Sequence, residues 1–322
     1  MTTAHAPGAD WRTTTDWRDE RRSYWTVGLV APALPLVSAG LAALTGWGVW
    51  WWLTPLFIYA FIPLLDQLLG EDRTNPPEEI VEALSEDRYY RWLTFLFLPV
   101  QYASFFLGAW LFATGGQAWW VSLGIALSVG LVAGLGINNA HELGHKTEKA
   151  ERRLSKVMLA QSGYGHFYVE HNRGHHNRVA TPEDPASSRM GENFWAFLPR
   201  TVFGSLRSAW ELEAKRLRAQ GHHVLSPRNN LLNAWALTVV LFAVTIAWLG
   251  TAVIPFLVIQ AVFGFSLLEV VNYVEHYGLL RQRTESGRYE RCNPEHSWNS
   301  NHIASNLALY NLERHSDHHA HP

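Results

Sequence analysis

A single cysteine, Cys292, is all that this chain of 322 residues carries. That excludes an internal disulfide framework, a zinc site built on cysteine pairs and an iron–sulfur or rubredoxin-type centre. Cys292 itself reads as a structural residue. Charge is scarce as well. Asp, Glu, Lys and Arg make up 17% of the chain, and a formal net charge of −2 leaves no footprint for nucleic acid. The scarcity is uneven, because no Lys or Arg lies between Arg22 and Arg73, between Arg91 and Lys146, or between Arg228 and Arg281.

Apolar residues fill those gaps in six runs, at roughly 26–45, 50–69, 92–113, 118–139, 231–250 and 252–273. A helix needs about 20 apolar residues to cross about 30 Å of hydrocarbon, so each run is a candidate span. They pair into three hairpins with short turns at Gly46-Trp47-Gly48, Thr114-Gly115-Gly116-Gln117 and Gly250-Thr251. Tryptophans crowd those turns (Trp47, Trp50, Trp51, Trp52, Trp119, Trp120 and Trp248), as amphipathic rings do at a membrane interface. All 26 basic residues fall in the remaining segments, which an even number of spans puts on one side. Positive charge marks that side as cytoplasmic, with both termini. The expectation is an all-α polytopic membrane protein, with residues 1–25 a cytoplasmic segment and 26–322 a single integral-membrane domain in contact with lipid. The polar first 22 residues show no cleavable leader, so the first span reads as an anchor. The 140–230 region reads as helices lying over the cytoplasmic end of the bundle, broken by Thr181-Pro182-Glu183-Asp184-Pro185.

Histidine is what the chain has in quantity. His141 and His145, then His171, His175 and His176, then His315, His318 and His319 form three clusters on that same side. Residues three or four apart share a helix face. By this rule His141 pairs with His145, His171 with His175, and His315 with both His318 and His319. His176 is turned about 100° from His175, free to serve another metal. His276, in Asn272-Tyr273-Val274-Glu275-His276-Tyr277-Gly278, brings the nitrogen ligands to nine. One tetrahedral zinc takes about four, so nine imidazoles suit two metal ions. The acidic neighbours Glu142, Glu170, Glu275, Glu313 and Asp317, with Asp184 in the loop, are candidates to orient imidazoles through their second nitrogen. Glu269 and Asn272 fall within about 60° of His276 on the helical wheel. A carboxylate inside a span is a functional candidate by default, and Glu269 reads equally as an extra ligand, a nearby base or a structural hydrogen-bond partner. His166 and His302 are candidates beside the ligands. His5, His222, His223, His296 and His321 read as solvent-exposed.

Imidazole alone does not choose among zinc, copper, iron and nickel. A ligand-rich site capping an apolar bundle, in a chain with no electron-transfer motif of its own, favours redox iron. Three rivals stand beside that reading. A membrane desaturase or aryl-methyl hydroxylase would share the architecture. A zinc protease would use His141-Glu142-x-x-His145 with Glu142 as general base. A metal transporter would carry its ligands at mid-membrane depth.

The motifs His141-Glu142-Leu143-Gly144-His145-Lys146, Glu170-His171-Asn172-Arg173-Gly174-His175-His176 and Asn272 to Gly278 resemble those of the bacterial membrane alkane 1-monooxygenase family, within the membrane desaturase and hydroxylase superfamily. So do Trp298-Asn299-Ser300-Asn301-His302, Arg314-His315-Ser316-Asp317-His318-His319-Ala320, Leu64-Leu65-Asp66, Gly70-Glu71-Asp72, Asn75-Pro76-Pro77-Glu78-Glu79 and Val179 to Pro185. The resemblance covers nearly the whole chain from about residue 20. It implies a six-helix hydroxylase in the bacterial inner membrane with two iron ions, turning medium- or long-chain n-alkanes and O2 into primary alcohols. Electrons would come from NADH through rubredoxin reductase and rubredoxin, and one cysteine requires that rubredoxin be a separate chain. Terminal selectivity would follow from a narrow channel, with Ile58 and Ile62 of the second span as candidate wall residues. Family members usually extend further past the third cluster, so this sequence is expected either to be truncated or to dispense with that tail.

Overall fold

The computed structural model describes residues 17–85 and 87–320. Among these the chain is helical, with two isolated bridges and no strand. Six helices are long and apolar enough to cross a membrane: α1 (Arg22–Thr45), α2 (Gly48–Leu69), α3 (Arg88–Thr114), α4 (Trp119–His145), α8 (Asn230–Leu249) and α9 (Thr251–Glu275). They fall on the six expected runs, and the chain is a multi-pass membrane protein. Between them lie α5 (Lys149–Ala160), α6 (167–178) and α7 (Phe194–Ala219). Two short helices follow, α10 (Ile303–Ala308) and α11 (His315–Ala320).

The hub is α4. In its most apolar stretch 78% of residues are buried, against 11–39% for the other spans. Glycine makes this possible. A Cβ on Gly130 would lie 2.9 Å from the Gln260 carbonyl, and one on Gly134 would lie 2.8 Å from that of Gly264. Gly130 and Gly134 are four apart, the small-residue spacing that lets two membrane helices touch backbone to backbone. The α4–α9 contact draws together the helix ends that lead to His141, His145 and His276. Trp51, beside the first hairpin turn, is buried against this hub.

The region after α4 departs from expectation. Residues 149–166 do not lie over the bundle; they enter it. α5 runs back alongside α4, with Ser155 Oγ donating to Ala140 O at 2.6 Å. Further in, Tyr102 Oη donates to Val157 O at 2.7 Å and Gln101 Nε2 to Met158 O at 3.2 Å. The turn at 161–166 reaches the level of Val129, the middle of the expected fourth span, where Gln260 Nε2 donates to Gln161 O at 2.8 Å. Irregular backbone survives at that depth only where protein supplies its hydrogen bonds. Gln101, Tyr102 and Gln260 supply them. α6 then climbs back out, so this helical hairpin delivers the second histidine cluster from below.

The C-terminal segment is pinned to three spans. Asp66 Oδ1 of α2 accepts from the backbone of Ala304 and Ser305 at 2.8 and 3.0 Å, capping α10. Asn138 Nδ2 of α4 donates to Leu309 O at 2.8 Å. Tyr310 lies against α1 where only Gly28 leaves room, since a Cβ there would fall 2.3 Å from the Tyr310 ring. Tyr310 and Asn311 hold left-handed backbone (φ 54° and 62°) just before α11. Such conformations cost on the order of 1–3 kcal/mol each and persist where the surroundings fix them.

Candidate metal centre

All nine clustered histidines converge, in two groups. His141, His145, His171, His176 and His318 offer nitrogens within 4.8 Å of one another, and so do His175, His276, His315 and His319. The division cuts across the clusters. His171 and His175, expected on one face, belong to different groups. The cause is local: residues 171–175 form a π-helical turn, which aligns positions five apart. His171 and His176 therefore bring their Nε2 atoms to 2.9 Å. The third cluster divides too, with His318 facing His141 at 2.8 Å and His319 facing His315 at 2.8 Å and His175 at 3.2 Å. His276 sits at the residue after the last turn of α9, its Nε2 buried and without a partner.

The nitrogen set fits a non-haem metal site. Each opposed pair of Nε2 atoms can share one proton, yet His145 Nε2 and His276 Nε2 are buried with no partner at all. Cations resolve such a crowd of lone pairs. Tetrahedral bonds of about 2.0–2.1 Å, the zinc–imidazole length, place neighbouring nitrogens about 3.3 Å apart. The observed 2.8–3.2 Å is close to that spacing. Burial, reinforced by neighbouring imidazoles, pushes His171, His315 and His319 well below the usual histidine range. It takes His176 to about 2 and His276 and His318 to about 3. These rings are thus neutral at pH 7, the form that binds metal.

The acidic candidates take different places. Asp184 Oδ2 receives His175 Nδ1 at 2.8 Å and the Ser187 hydroxyl at 2.6 Å. Burial alone would raise this carboxyl, but His175 and Ser187 hold it down at about 2. Glu275 Oε2 lies 3.3 Å from His315 Nε2, at the edge of the second group. Glu142 is ion-paired with Lys146 at 2.7 Å. Both border a cavity of about 820 Å³ that also meets Arg91, His302, Asn306 and Arg314. Glu170 Oε1 accepts from Arg178 at 2.6 Å, a contact that needs Gly174, because a Cβ there would strike both partners. Its Oε2 is buried and unpartnered, and burial pushes Glu170 up to about 7. Glu313 accepts from Ser305 Oγ at 2.8 Å. The side chain of Asp317 lies outside the described residues.

Glu269 is a tie between elements. Its carboxylate accepts from Tyr164 Oη of the inserted turn at 2.6 Å, Thr201 Oγ1 of α7 at 2.9 Å and Asn272 Nδ2 at 3.2 Å. Three bonds to a charged acceptor, at about 1.5–3 kcal/mol each, offset the several kcal/mol that a lone carboxylate costs in a span. Sequence periodicity could not reveal this, since Tyr164 and Thr201 lie far away in the chain.

Among the other histidines, His166 is buried with its Nε2 unpartnered. His302 faces Ser300 Oγ at 3.0 Å. His296, expected in solvent, is buried instead. Its Nδ1 accepts the Asn293 N–H at 3.1 Å and its Nε2 lies 3.3 Å from Glu290, closing a small helical cap. His223 is exposed and His222 half-buried beside Arg228. His5 and His321 lie outside the described residues. Ile58 and Ile62 face inward near the C-terminal segment, Ile62 packing with Ala304 and Ala308.

An all-helical membrane bundle carrying a buried polyhistidine site defines a class, and the fatty acid desaturase family profile matches residues 118–322. Finer similarity extends over almost the whole chain. Alkane 1-monooxygenase of Pseudomonas putida is 48% identical over 95% of this chain and 76% of its own length. The alkane 1-monooxygenase of Ectopseudomonas oleovorans is 49% identical over 95% and 77%. Alkane 1-monooxygenase 1 of Alcanivorax borkumensis is 48% identical over 94% and 75%. The chain belongs to the alkane 1-monooxygenase family.

Proposed function

We propose that this protein hydroxylates the terminal carbon of medium- to long-chain n-alkanes, using O2 and electrons passed from NADH through rubredoxin reductase and a separate rubredoxin. The observation that carries the reading is the division of nine imidazoles into two adjacent groups within a family of alkane 1-monooxygenases. In this reading each group holds one iron ion. His141, His145, His171, His176 and His318 serve the first; His175, His276, His315 and His319 serve the second. Iron would supply the oxygen activation that no side chain can.

The chain's own residues do the rest. Asp184 fixes the tautomer of His175 and turns its Nε2 inward. Gly130, Gly134 and Gly264 bring the two helices that lead to both groups into contact. The bundle presents the alkane end-on, which selects the methyl group over weaker internal C–H bonds. The basic segments put the site and both termini on the cytosolic side of the inner membrane, within one domain over 26–322. Ile58, inside a π-helical turn of α2 (Phe57–Phe61), is a wall residue of the substrate path. Ile58→Trp should shorten the longest alkane accepted, read from product profiles across a graded series; an unchanged profile removes Ile58 from the path.

The deciding experiment supplies membranes containing this chain with iron, rubredoxin, its reductase, NADH and n-alkanes of graded length. Formation of 1-alkanols, with two irons per chain, is the expected result. A chain that binds zinc in place of iron and makes no alcohol would sink the reading.

A further inference from the structure

Beside both histidine groups lies a small pocket of about 10 Å³. Its walls include the rings of His171 and His175, one from each group, and the polar side chains of His166, Glu170, Glu269 and Asn272. A buried water fills about 10–15 Å³ of such space and needs two to four polar partners. Two partners here are conspicuous. His166 Nε2 and Glu170 Oε2 are buried with no hydrogen bond, and the two residues are 4% and 3% exposed. Leaving such a group unsatisfied costs about 1–3 kcal/mol, so an empty pocket is the expensive alternative. Glu269 uses three of a carboxylate's about four acceptor positions on Tyr164, Thr201 and Asn272, which leaves one.

We propose that this pocket holds one ordered water shared by His166, Glu170 and Glu269, and that the water is a station from which a proton reaches the oxygen chemistry beside His171 and His175. The proton role rests on the monooxygenase reading. That reaction takes R–H, O2, two electrons and two protons to R–OH and H2O. The O–O bond breaks, one oxygen enters the C–H bond, and the other leaves as water after gaining two protons. The electrons come from the protein donor. The pocket water breaks an O–H bond as its proton departs, and the hydroxide left behind is reprotonated by a solvent acid, hydronium or buffer, so that the protons consumed come from the medium. His166 is a positioning residue that holds the water in place. Burial keeps its ring neutral, with a pKa lowered to about 4, so Nε2 can accept or donate without carrying charge.

Two variants separate the water from the fold. Ser205→Val, in another wall of the pocket, fills the void and leaves His166, Glu170 and Glu269 in place. His166→Phe removes the holding nitrogen, and His166→Gln restores a polar group near its position. A high-resolution cryo-EM map of the iron-loaded protein should show a single peak in the wild-type pocket and none in Ser205→Val. With iron content unchanged, Ser205→Val and His166→Phe should lower alcohol formed per NADH oxidised several-fold and change the solvent deuterium isotope effect. His166→Gln should recover much of both. A dry wild-type pocket overturns the proposal, as does a Ser205→Val protein that lacks the peak yet matches wild type in coupling and isotope effect. Alcohol formed by a dry-pocket wild type leaves the proposed function standing. No alcohol from the wild type overturns that function, and the proton role with it.

Discussion

The two histidine groups differ in how the protein encloses them. The second, of His175, His276, His315 and His319, is buried throughout, with Asp184 and Glu275 against it. The first has five rings, of which His145, His176 and His318 are only half-buried, and it lies beside Glu142 and Lys146 at the wall of the large cavity. One group is buried against carboxylates; the other has three half-buried rings and neighbours Glu142, which lines the large cavity. Two neighbouring sites made of one residue type can therefore differ in solvent access and exchange, because second partners and burial tune a metal as much as its ligands do.

Adjacent residues give the sharpest way to break the comparison. His318→Ala and His319→Ala each remove one ring, from different groups. Each should abolish alcohol formation while reducing bound iron from two to one per chain, and Mössbauer spectra should show different surviving sites. Identical spectra would mean that the groups do not act as separate sites.

Asp184→Asn should come next in effect. It keeps the shape but leaves His175 without its anionic partner, so iron affinity of the second group should fall about 10–100-fold. Titration of iron into metal-free protein checks this, and the first group should bind as before.

Acid comes third, and its sign follows from burial. His171, His176, His276, His315, His318 and His319 all have lowered pKa values when folded. Once unfolded, each takes up a proton near about 6.5. Below that pH the unfolded chain binds more protons than the folded one, so stability is present above about 6.5 and is lost as pH falls. Metal-free protein in detergent should show a melting temperature that drops steeply between about pH 6.5 and 4. A flat profile would contradict the burial of these rings.

The smallest effect is expected at the open side. Glu142→Gln removes a half-buried i,i+4 ion pair with Lys146, of a kind worth about 0.3–0.5 kcal/mol on a helix surface. Thermal stability should barely move. An enzyme that loses all activity here, with both irons bound, would give Glu142 a chemical role that its pairing with Lys146 does not indicate.

Periodicity served well where partners are close in the chain. The six spans appear at their expected places, and α4 carries His141 and His145 beyond the expected end of its span. It failed where a regular helix was assumed. Spacing put His171 with His175, and a single π-helical turn paired His171 with His176 instead. It failed again for 149–166. α5 is only 12 residues long and opens with charged residues, so nothing in its hydropathy marks it as entering the bundle. His296 was misread for the same reason: its partners Glu290 and Asn293 make a cap only once the loop is folded.

Composition and spacing by themselves determined that this chain crosses a membrane six times and holds nine histidines on one side, because hydrophobic length and side-chain count are properties of the chain alone. Which imidazole faces which, where Asp184 and Glu269 find their partners, and that a helical hairpin rises into the site from within the bundle were decided by the tertiary structure. Each depends on close approach between residues distant in sequence, set by glycine-lined helix contacts and by buried polar groups that must find a partner wherever the fold places one.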